Sequence, residues 1–286
     1  MNLLRKNLLW YLLVFLALAT GLIFYTLFFE DDGGKLKVIA LNIGQGDSIF
    51  IETPNGNQII VDGGPDKSLL SELGKVMPFY DHSIDMIVVT NPDKDHYAGF
   101  IDLLDSYSVG KVLEPGTFSP TPTYEVLEKA IAEKNIPKLI AQRGMKIELG
   151  GGAVLDILFP DRDVSKVSSN TGSLVAKLTY GATSFMLTGD SVDEIEHFLV
   201  AINKGSLKSD VLKVGHHGSR TSSSPEFVAE VAPSTAVMAC GKDNTYGHPH
   251  KETLETLSNF GAKIFRTDQD GRVTFISDGV KVVSKN

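Results

Sequence analysis

The chain has 286 residues, 42% of them hydrophobic, and a formal net charge of −8. That length suits a membrane segment plus one large domain, and the acidic balance argues against a wholesale basic coat for nucleic acid while leaving room for a local basic groove. Cys240 is the single cysteine, which excludes an intrachain disulfide and a thiolate metal cluster; in the apolar run Ala236 to Cys240 it reads as a small buried hydrophobe.

Leu8 to Phe29 carries no charged residue. At about 1.5 Å per helical residue it is long enough to cross a hydrocarbon core of about 30 Å. Arg5 and Lys6 precede it, and Glu30, Asp31 and Asp32 follow, so the expected orientation leaves the N-terminus in the cytoplasm and the rest of the chain outside. Trp10, Tyr11 and Tyr25 lie near its ends, where amphipathic aromatics favour the interface. The expectation is a single-pass protein of the cell membrane: cytoplasmic tip, anchor and short linker over residues 1–34, and one extracytoplasmic domain over 35–286. A cleaved signal peptide is the rival reading, with Ala17-Leu18-Ala19 as its small-residue site. The apolar run continues past that site, which suits an uncleaved anchor better.

Lys35 to Asn42 and Asp47 to Glu52 read as strands joined through Gly44-Gln45-Gly46. Asn55-Gly56 is a hairpin signal, and Gln58 to Val61 follows as a third strand ending in Asp62-Gly63-Gly64. No helix follows the first glycine loop and a third glycine is missing, so it is no dinucleotide fingerprint; it reads as a tight loop that brings backbone close to a site. Ser68 to Met77 reads as a helix. The apolar run Ile84 to Val89 reads as a buried strand, and Thr90-Asn91-Pro92-Asp93-Lys94-Asp95-His96 leaves its end ahead of a helix reaching about Tyr107. Ligands bind at such strand ends in open α/β sheets. Pro92 holds the turn extended, and Asp93, Asp95 and His96 can converge as a set of hard oxygen and borderline nitrogen donors suited to a metal. The structural alternative is a polar loop with Asp95 capping the helix.

Val109 to Leu113 reads as a strand, and Thr123 to Lys134 as a helix with Val126, Leu127, Ala130 and Ile131 on one face. Lys146 to Leu149 and Val154 to Phe159 are strands around Gly150-Gly151-Gly152. A second hairpin, Ser173 to Thr179 and Ser184 to Leu187, ends in Thr188-Gly189-Asp190, ahead of a helix from Val192 to Ile202. The strand Asp210 to Val214 leads into Gly215-His216-His217-Gly218-Ser219. Helices at Pro225 to Val231 and Glu252 to Phe260 alternate with strands at Thr235 to Ala239, Ala262 to Arg266, Arg272 to Ile276 and Val280 to Val283. Each half opens with antiparallel strands and then alternates strand with helix; two sheets face to face with helices outside both would bury all of it.

The ordered blocks Leu41-Asn42-Ile43-Gly44-Gln45-Gly46-Asp47-Ser48, Asp62-Gly63-Gly64, Asn91-Pro92-Asp93-Lys94-Asp95-His96, Asn170-Thr171-Gly172-Ser173-Leu174-Val175, Thr188-Gly189-Asp190, His216-His217-Gly218-Ser219 and Tyr246-Gly247-His248-Pro249 resemble the extracytoplasmic metallo-β-lactamase-type domain of ComEC competence proteins, from about Lys35 to the C-terminus. The sequence holds nothing like that family's multi-helix channel, so a standalone, tethered relative is expected. The resemblance implies an α/β fold, a four-layer αββα sandwich after one N-terminal transmembrane helix, with the metal site at the rim between the two sheets. Where the superfamily's central motif has its first histidine this chain has Asn91. Asp93 holds the second ligand position, Asp95 and His96 match the closing Asp-His, and Asp190 matches the acid that can bridge two metals. His216 is similar to the last histidine ligand, with the adjacent His217 as the alternative.

The cofactor so implied is one or two divalent ions, zinc or manganese. The firm position rests on Asp95, His96, Asp190 and His216. The weaker one rests on Asn91, Asp93 and the shared Asp190, with Asn170 nearby, because a neutral amide is a poorer donor to zinc than imidazole. Water activated by the metal supplies the nucleophile, Asp93 or Asp95 orients it or accepts its proton, and His217, Ser219 and His248 surround a substrate phosphate, His248 as candidate acid for the leaving oxygen. The resemblance thus implies a membrane-anchored phosphodiesterase or nuclease related to DNA uptake, with nucleic acid as substrate. Lys213, Arg220, Lys242 and Lys251 offer either a basic rim for a polyanion or solvated surface charge. His250, His197 and His82 read as ordinary surface or cap residues. A hydrolase of a small ester or lactam is one alternative; a degenerate domain that only binds nucleic acid or a partner, motivated by Asn91, is the other.

Overall fold

The computed structural model describes residues 2–28, 34–203 and 205–285, with side chains in the first segment described at 7, 8 and 10–23. The chain divides into two compact units, Met1–Gly34 and Lys35–Asn286. The first is the helix Asn2–Phe28, which exposes the consecutive residues Leu12, Leu13, Val14, Phe15 and Leu16. Among the described residues no helix is long and apolar enough to cross a membrane. Phe29, the end of the expected span, and the acids Glu30, Asp31 and Asp32 of the expected linker lie outside the described residues.

In the second unit the central strands alternate, so each sheet buries both faces there. Val38 and Ala40 point into one core while Ile39 points into another; Ile59 and Val61 oppose Ile60, and Met86 and Val88 oppose Ile87. Opposite faces follow from the two-residue period of a strand. One eight-stranded sheet runs, in spatial order, Val282–Lys285, Val273–Ser277, Leu36–Ala40, Ile49–Glu52, Gln58–Val61, Met86–Val88, Val112–Glu114 and Lys138–Ile140. Its neighbours pair antiparallel as far as Gln58–Val61 and parallel beyond it. A seven-stranded sheet runs Lys263–Arg266, Thr235–Met238, Val211–Lys213, Thr183–Leu187, Val175–Tyr180, Ala153–Phe159 and Lys146–Gly150. It is parallel from Lys263–Arg266 to Thr183–Leu187 and antiparallel after that.

The central core joins the two sheets: Val38, Ile51 and Val88 from the first meet Leu178, Phe185 and Val237 from the second. The outer face of the first sheet packs on Leu69, Leu73, Phe100, Leu103 and Leu127 of its helices. That of the second packs on Ile195, Leu199, Phe227, Val228 and Leu257. The result is the four-layer αββα arrangement the alternating pattern predicts.

Some local expectations give way. The helix before Tyr107 already begins at Lys94 and is two pieces, Lys94–Tyr97 and Gly99–Ser106. Their junction presses on the Asp62-Gly63-Gly64 turn, where a Cβ on Gly99 would lie 2.1 Å from the Gly63 oxygen. Asp93, not Asp95, occupies the N-cap, and without a capping bond. The strand expected over Val109 to Leu113 divides into Ser108–Val109, paired with Ser83–Ile84 in a small separate ladder, and Val112–Glu114. Lys138–Ile140 and the helical turn Thr267–Asp270 were not anticipated.

Candidate metal centre

The parallel strands of both sheets end on one edge, and the site forms there. Asp62 follows Gln58–Val61, His96 follows Met86–Val88, Asp190 follows Thr183–Leu187, and His216 and His217 follow Val211–Lys213. Asp47 enters from the opposite direction, just before Ile49–Glu52. The glycine loop does bring backbone close to the site: Asp47 N donates to the Asp95 carbonyl at 3.1 Å, and a Cβ on Gly46 would lie 2.4 Å from that same oxygen.

Two imidazoles face each other across the centre, their rings 5.5 Å apart. His96 is fully buried, and its Nδ1 lies 2.9 Å from Asp62 Oδ2. Asp62 is itself held by the Thr90 N–H at 2.7 Å and the Thr90 hydroxyl at 2.6 Å. His217 Nδ1 lies 2.9 Å from the Ala239 carbonyl and 3.3 Å from Asp47 Oδ1. With both Nδ1 atoms engaged, each ring turns Nε2 inward. His96 Nε2 is 3.2 Å from Asp190 Oδ2, and His217 Nε2 is 3.2 Å from Asp95 Oδ2 and 3.5 Å from Asp190 Oδ2. Among the described residues these two Nε2 atoms and Asp190 Oδ1 are buried and make no hydrogen bond, meeting neighbouring charges only as ion-pair contacts. Orphaned buried polar atoms are costly, and their donor types match a divalent ion with mixed nitrogen and oxygen ligands. Asp95, His96 and His217 can all place one ligand atom within 4.8 Å of one another, as can Asp47, Asp190 and His217. The residues fit a metal.

Charge runs through the cluster. Burial pushes the Asp190 carboxyl up, but His96 and His217 outweigh it and hold the group well below the usual carboxylate range. Burial opposes charge on His217 too, yet Asp190 and Asp47 bring its pKa up to about 10, and His96 is raised for the same reason by Asp190 and Asp62. Without metal, imidazolium protons balance the acids.

The site residues predicted from sequence separate into groups. Asp95, His96, Asp190 and His217 converge. His216 stands at the rim, its Nε2 3.9 Å from Asp190 Oδ2 and its Nδ1 3.1 Å from the Thr221 hydroxyl. Both histidines occupy left-handed backbone, at φ 48° and 53°, a conformation that costs non-glycine residues about 1–3 kcal/mol and collects at functional sites. Asp93 lines the cleft but accepts from Ser169 Oγ at 2.7 Å. Asn91 is fully buried and spends its amide elsewhere: Nδ2 donates to Asn170 Oδ1 at 2.8 Å and Ser173 Oγ at 3.1 Å, and Oδ1 accepts from the Asp93 N–H at 2.8 Å. His248 lines the cleft with its pKa pushed down to about 4 by burial and by His216, His217 and His250. The open cleft has a volume of about 130 Å³.

Three residues had no assigned place in the centre from sequence. Asp47 and Asp62 sit inside glycine-flanked blocks, which was the available signal. Lys213, expected at a basic rim, is instead 4% exposed, paired with Asp47 and donating to the Gly189 carbonyl at 2.8 Å. Of the other rim cations, Lys251 pairs with Glu255 at 2.8 Å and Arg220 with Glu252 at 4.0 Å.

Residues 41–242 match the family model described as Metallo-beta-lactamase superfamily. ComE operon protein 3 of Bacillus subtilis (strain 168) is 31% identical over 256 residues, covering 84% of this chain and 33% of that protein. Competence protein ComA of Neisseria gonorrhoeae is 29% identical over 241 residues, 84% of this chain and 32% of its own. The chain therefore spans about a third of the length of the curated relatives it matches. Among solved structures, Igni18, described as a novel metallo hydrolase from the hyperthermophilic archaeon Ignicoccus hospitalis KIN4/I, has a TM-score of 0.53 at 13% identity and covers 87% of this chain and 99% of its own. That likeness is one of fold.

Proposed function

Because the chain belongs to the metallo-beta-lactamase superfamily, we propose that it is a membrane-tethered, metal-dependent phosphodiesterase that cleaves nucleic acid, DNA in the first instance, outside the cell. The observation that carries the hydrolytic part is the pair of inward Nε2 atoms, on His96 and His217, left without hydrogen-bond partners beside Asp95 and Asp190. Those four residues would hold the ion, with His216 at the rim. A divalent metal there supplies Lewis acidity and activates water near neutral pH.

The rest of the chemistry belongs to the chain. Asp62 fixes the ring orientation of His96, and the Ala239 carbonyl that of His217, through their Nδ1 atoms, the supporting contacts that metal-binding histidines require. Lys213 neutralises Asp47 from beneath, so the acids at the centre are not left to repel one another. Asp93, which lines the same cleft, would orient water or accept a proton. The choice of DNA draws on the competence proteins among the relatives, and the tether on the helix Asn2–Phe28, which exposes Leu12, Leu13, Val14, Phe15 and Leu16 in succession. The binding-only alternative draws on Asn91, whose amide is committed to Asn170 and Ser173.

Metal analysis of the purified protein, beside zinc- and manganese-dependent assays on single-stranded DNA and on a small phosphodiester, tests the reading. About one ion per chain and metal-dependent cleavage of both substrates are expected, both lost in Asp190→Ala. Tight DNA binding by a chain that takes up no metal would replace this reading with the binding-only one.

A further inference from the structure

The loop after Thr235–Met238 carries Tyr246 to the mouth of the cleft that Asp95, Asp190, His216 and His217 line. Its ring stacks on His248, centroids 5.7 Å apart at 24°, while the residue remains 65% exposed. One face is therefore covered and the other is open to water. His248 in turn packs edge-on against His216, centroids 5.5 Å apart. A series of rings leads from the solvent to the metal centre.

The loop is braced. Asn244 Nδ2 donates to the carbonyls of Gly241 at 2.9 Å and His248 at 2.6 Å, and its Oδ1 accepts from the His248 N–H at 3.0 Å. The Gly241 N–H donates to Gln45 Oε1 at 3.0 Å, and the His250 N–H to the Gly218 carbonyl at 2.9 Å. One bond ties the loop to the glycine turn and the other to the turn that carries the two histidines. Tyr246 is thus held on a fixed frame beside the place where a phosphodiester must sit.

We propose that Tyr246 is a stacking platform for the nucleobase next to the scissile phosphate, which makes the cleft a site for unpaired strands. The inference rests on the phosphodiesterase reading. Bases within a duplex are covered on both faces, whereas single-stranded bases can be splayed onto aromatic side chains. Stacking of this kind is tolerant of base identity because every base has a π-face. The chemistry recognised is a phosphodiester followed by a planar base, without selection among the bases.

The test compares kcat/KM of the full chain, with manganese, on a thymidine oligonucleotide and on a fully abasic oligonucleotide of the same length. In the wild-type protein the base-bearing strand is preferred. In Tyr246→Ala that preference falls about tenfold, mainly through KM, as the loss of one base–aromatic stack requires; Tyr246→Phe retains it. An unchanged preference in Tyr246→Ala overturns the proposal. A second readout, quenching of 2-aminopurine fluorescence in a single strand, separates the two failures. If the wild-type protein cleaves neither strand, the phosphodiesterase reading fails. Quenching lost in Tyr246→Ala then still supports the platform, and quenching equal in both proteins overturns it.

Discussion

At the residue scale, the site depends on which ring nitrogen each histidine turns inward. Asp62 settles this for His96, so Asp62→Asn should weaken metal affinity about 10- to 100-fold, the usual cost of removing such a support; chelator competition reads it directly. The geometry ranks the adjacent histidines: His217 lies 3.2 Å from Asp95 and 3.5 Å from Asp190, and His216 lies 3.9 Å from Asp190. His217→Ala should therefore abolish the bound metal in the purified protein while His216→Ala keeps it, and the opposite ranking by metal analysis would return the ligand role to His216. Asn91 changes meaning. From sequence it is a poorer zinc ligand standing where the resemblance implies a histidine. In the structure it is a buried tie between the Asp93 turn and the segment of Asn170 and Ser173. Asn91→His must break that tie, so it should cost the metal-free protein about 1–3 kcal/mol, the price of leaving buried polar partners unsatisfied, measured by urea unfolding.

At the element scale, the helix Asp193–Ile202 is attached through Glu196 to the segment between the histidine turn and the helix Pro225–Val231, accepting from the N–H groups of Ser223 at 2.6 Å and Ser224 at 2.7 Å. Ser224 in turn caps Pro225–Val231. Burial pushes the Glu196 carboxyl up to about 7. Because the folded state binds this proton more tightly than the unfolded one, the stability it confers is fully present below about pH 4.5 and is lost as pH rises through about 7, a change of about 3 kcal/mol. The difference in urea midpoint between the wild-type protein and Glu196→Gln should shift by that order across pH 4.5 to 7.5. A constant difference would mean that the carboxylate is ionised throughout, held by its two N–H donors. Lys138–Ile140 shows how an element can lie outside sequence pattern: all its residues are exposed, so it has no apolar period, and it exists because Val112–Glu114 offers an unpaired edge.

At the scale of the whole molecule, metal binding and folding are coupled, since an ion that binds only the native state stabilises it by about 2.7 kcal/mol at a hundred times its dissociation constant. Chelation should lower Tm by about 5–10 °C, given a shift of about 2–4 °C per kcal/mol for a domain of this size, and Asp190→Ala should lose the response. The tether is tested by floating the full chain and residues 35–286 with lipid vesicles: the full chain should float, the shorter one should not, and equal behaviour would remove the anchor from the proposal. Much of the second unit is legible in the chain. Strand alternation and helix spacing are local, so Gln58–Val61 and Pro225–Val231 fall where the pattern places them, and the family follows from ordered blocks that each carry a turn or a donor. Asp95 and His96 are adjacent, so their joint arrival at a strand end needs only the strand. The arrangement of the centre is of another kind. Lys213 is a cation at the end of a strand until Asp47 meets it, Asp62 is an acid in a glycine turn until His96 lies over it, and Asn91 is a ligand position until Asn170 takes its amide. Sequence by itself determined the layers, the family and the donor types, because these depend on neighbours along the chain. Only the tertiary structure decided which nitrogen, which of two histidines and which acid faces the centre, because hydrogen bonds between residues far apart in sequence orient those side chains.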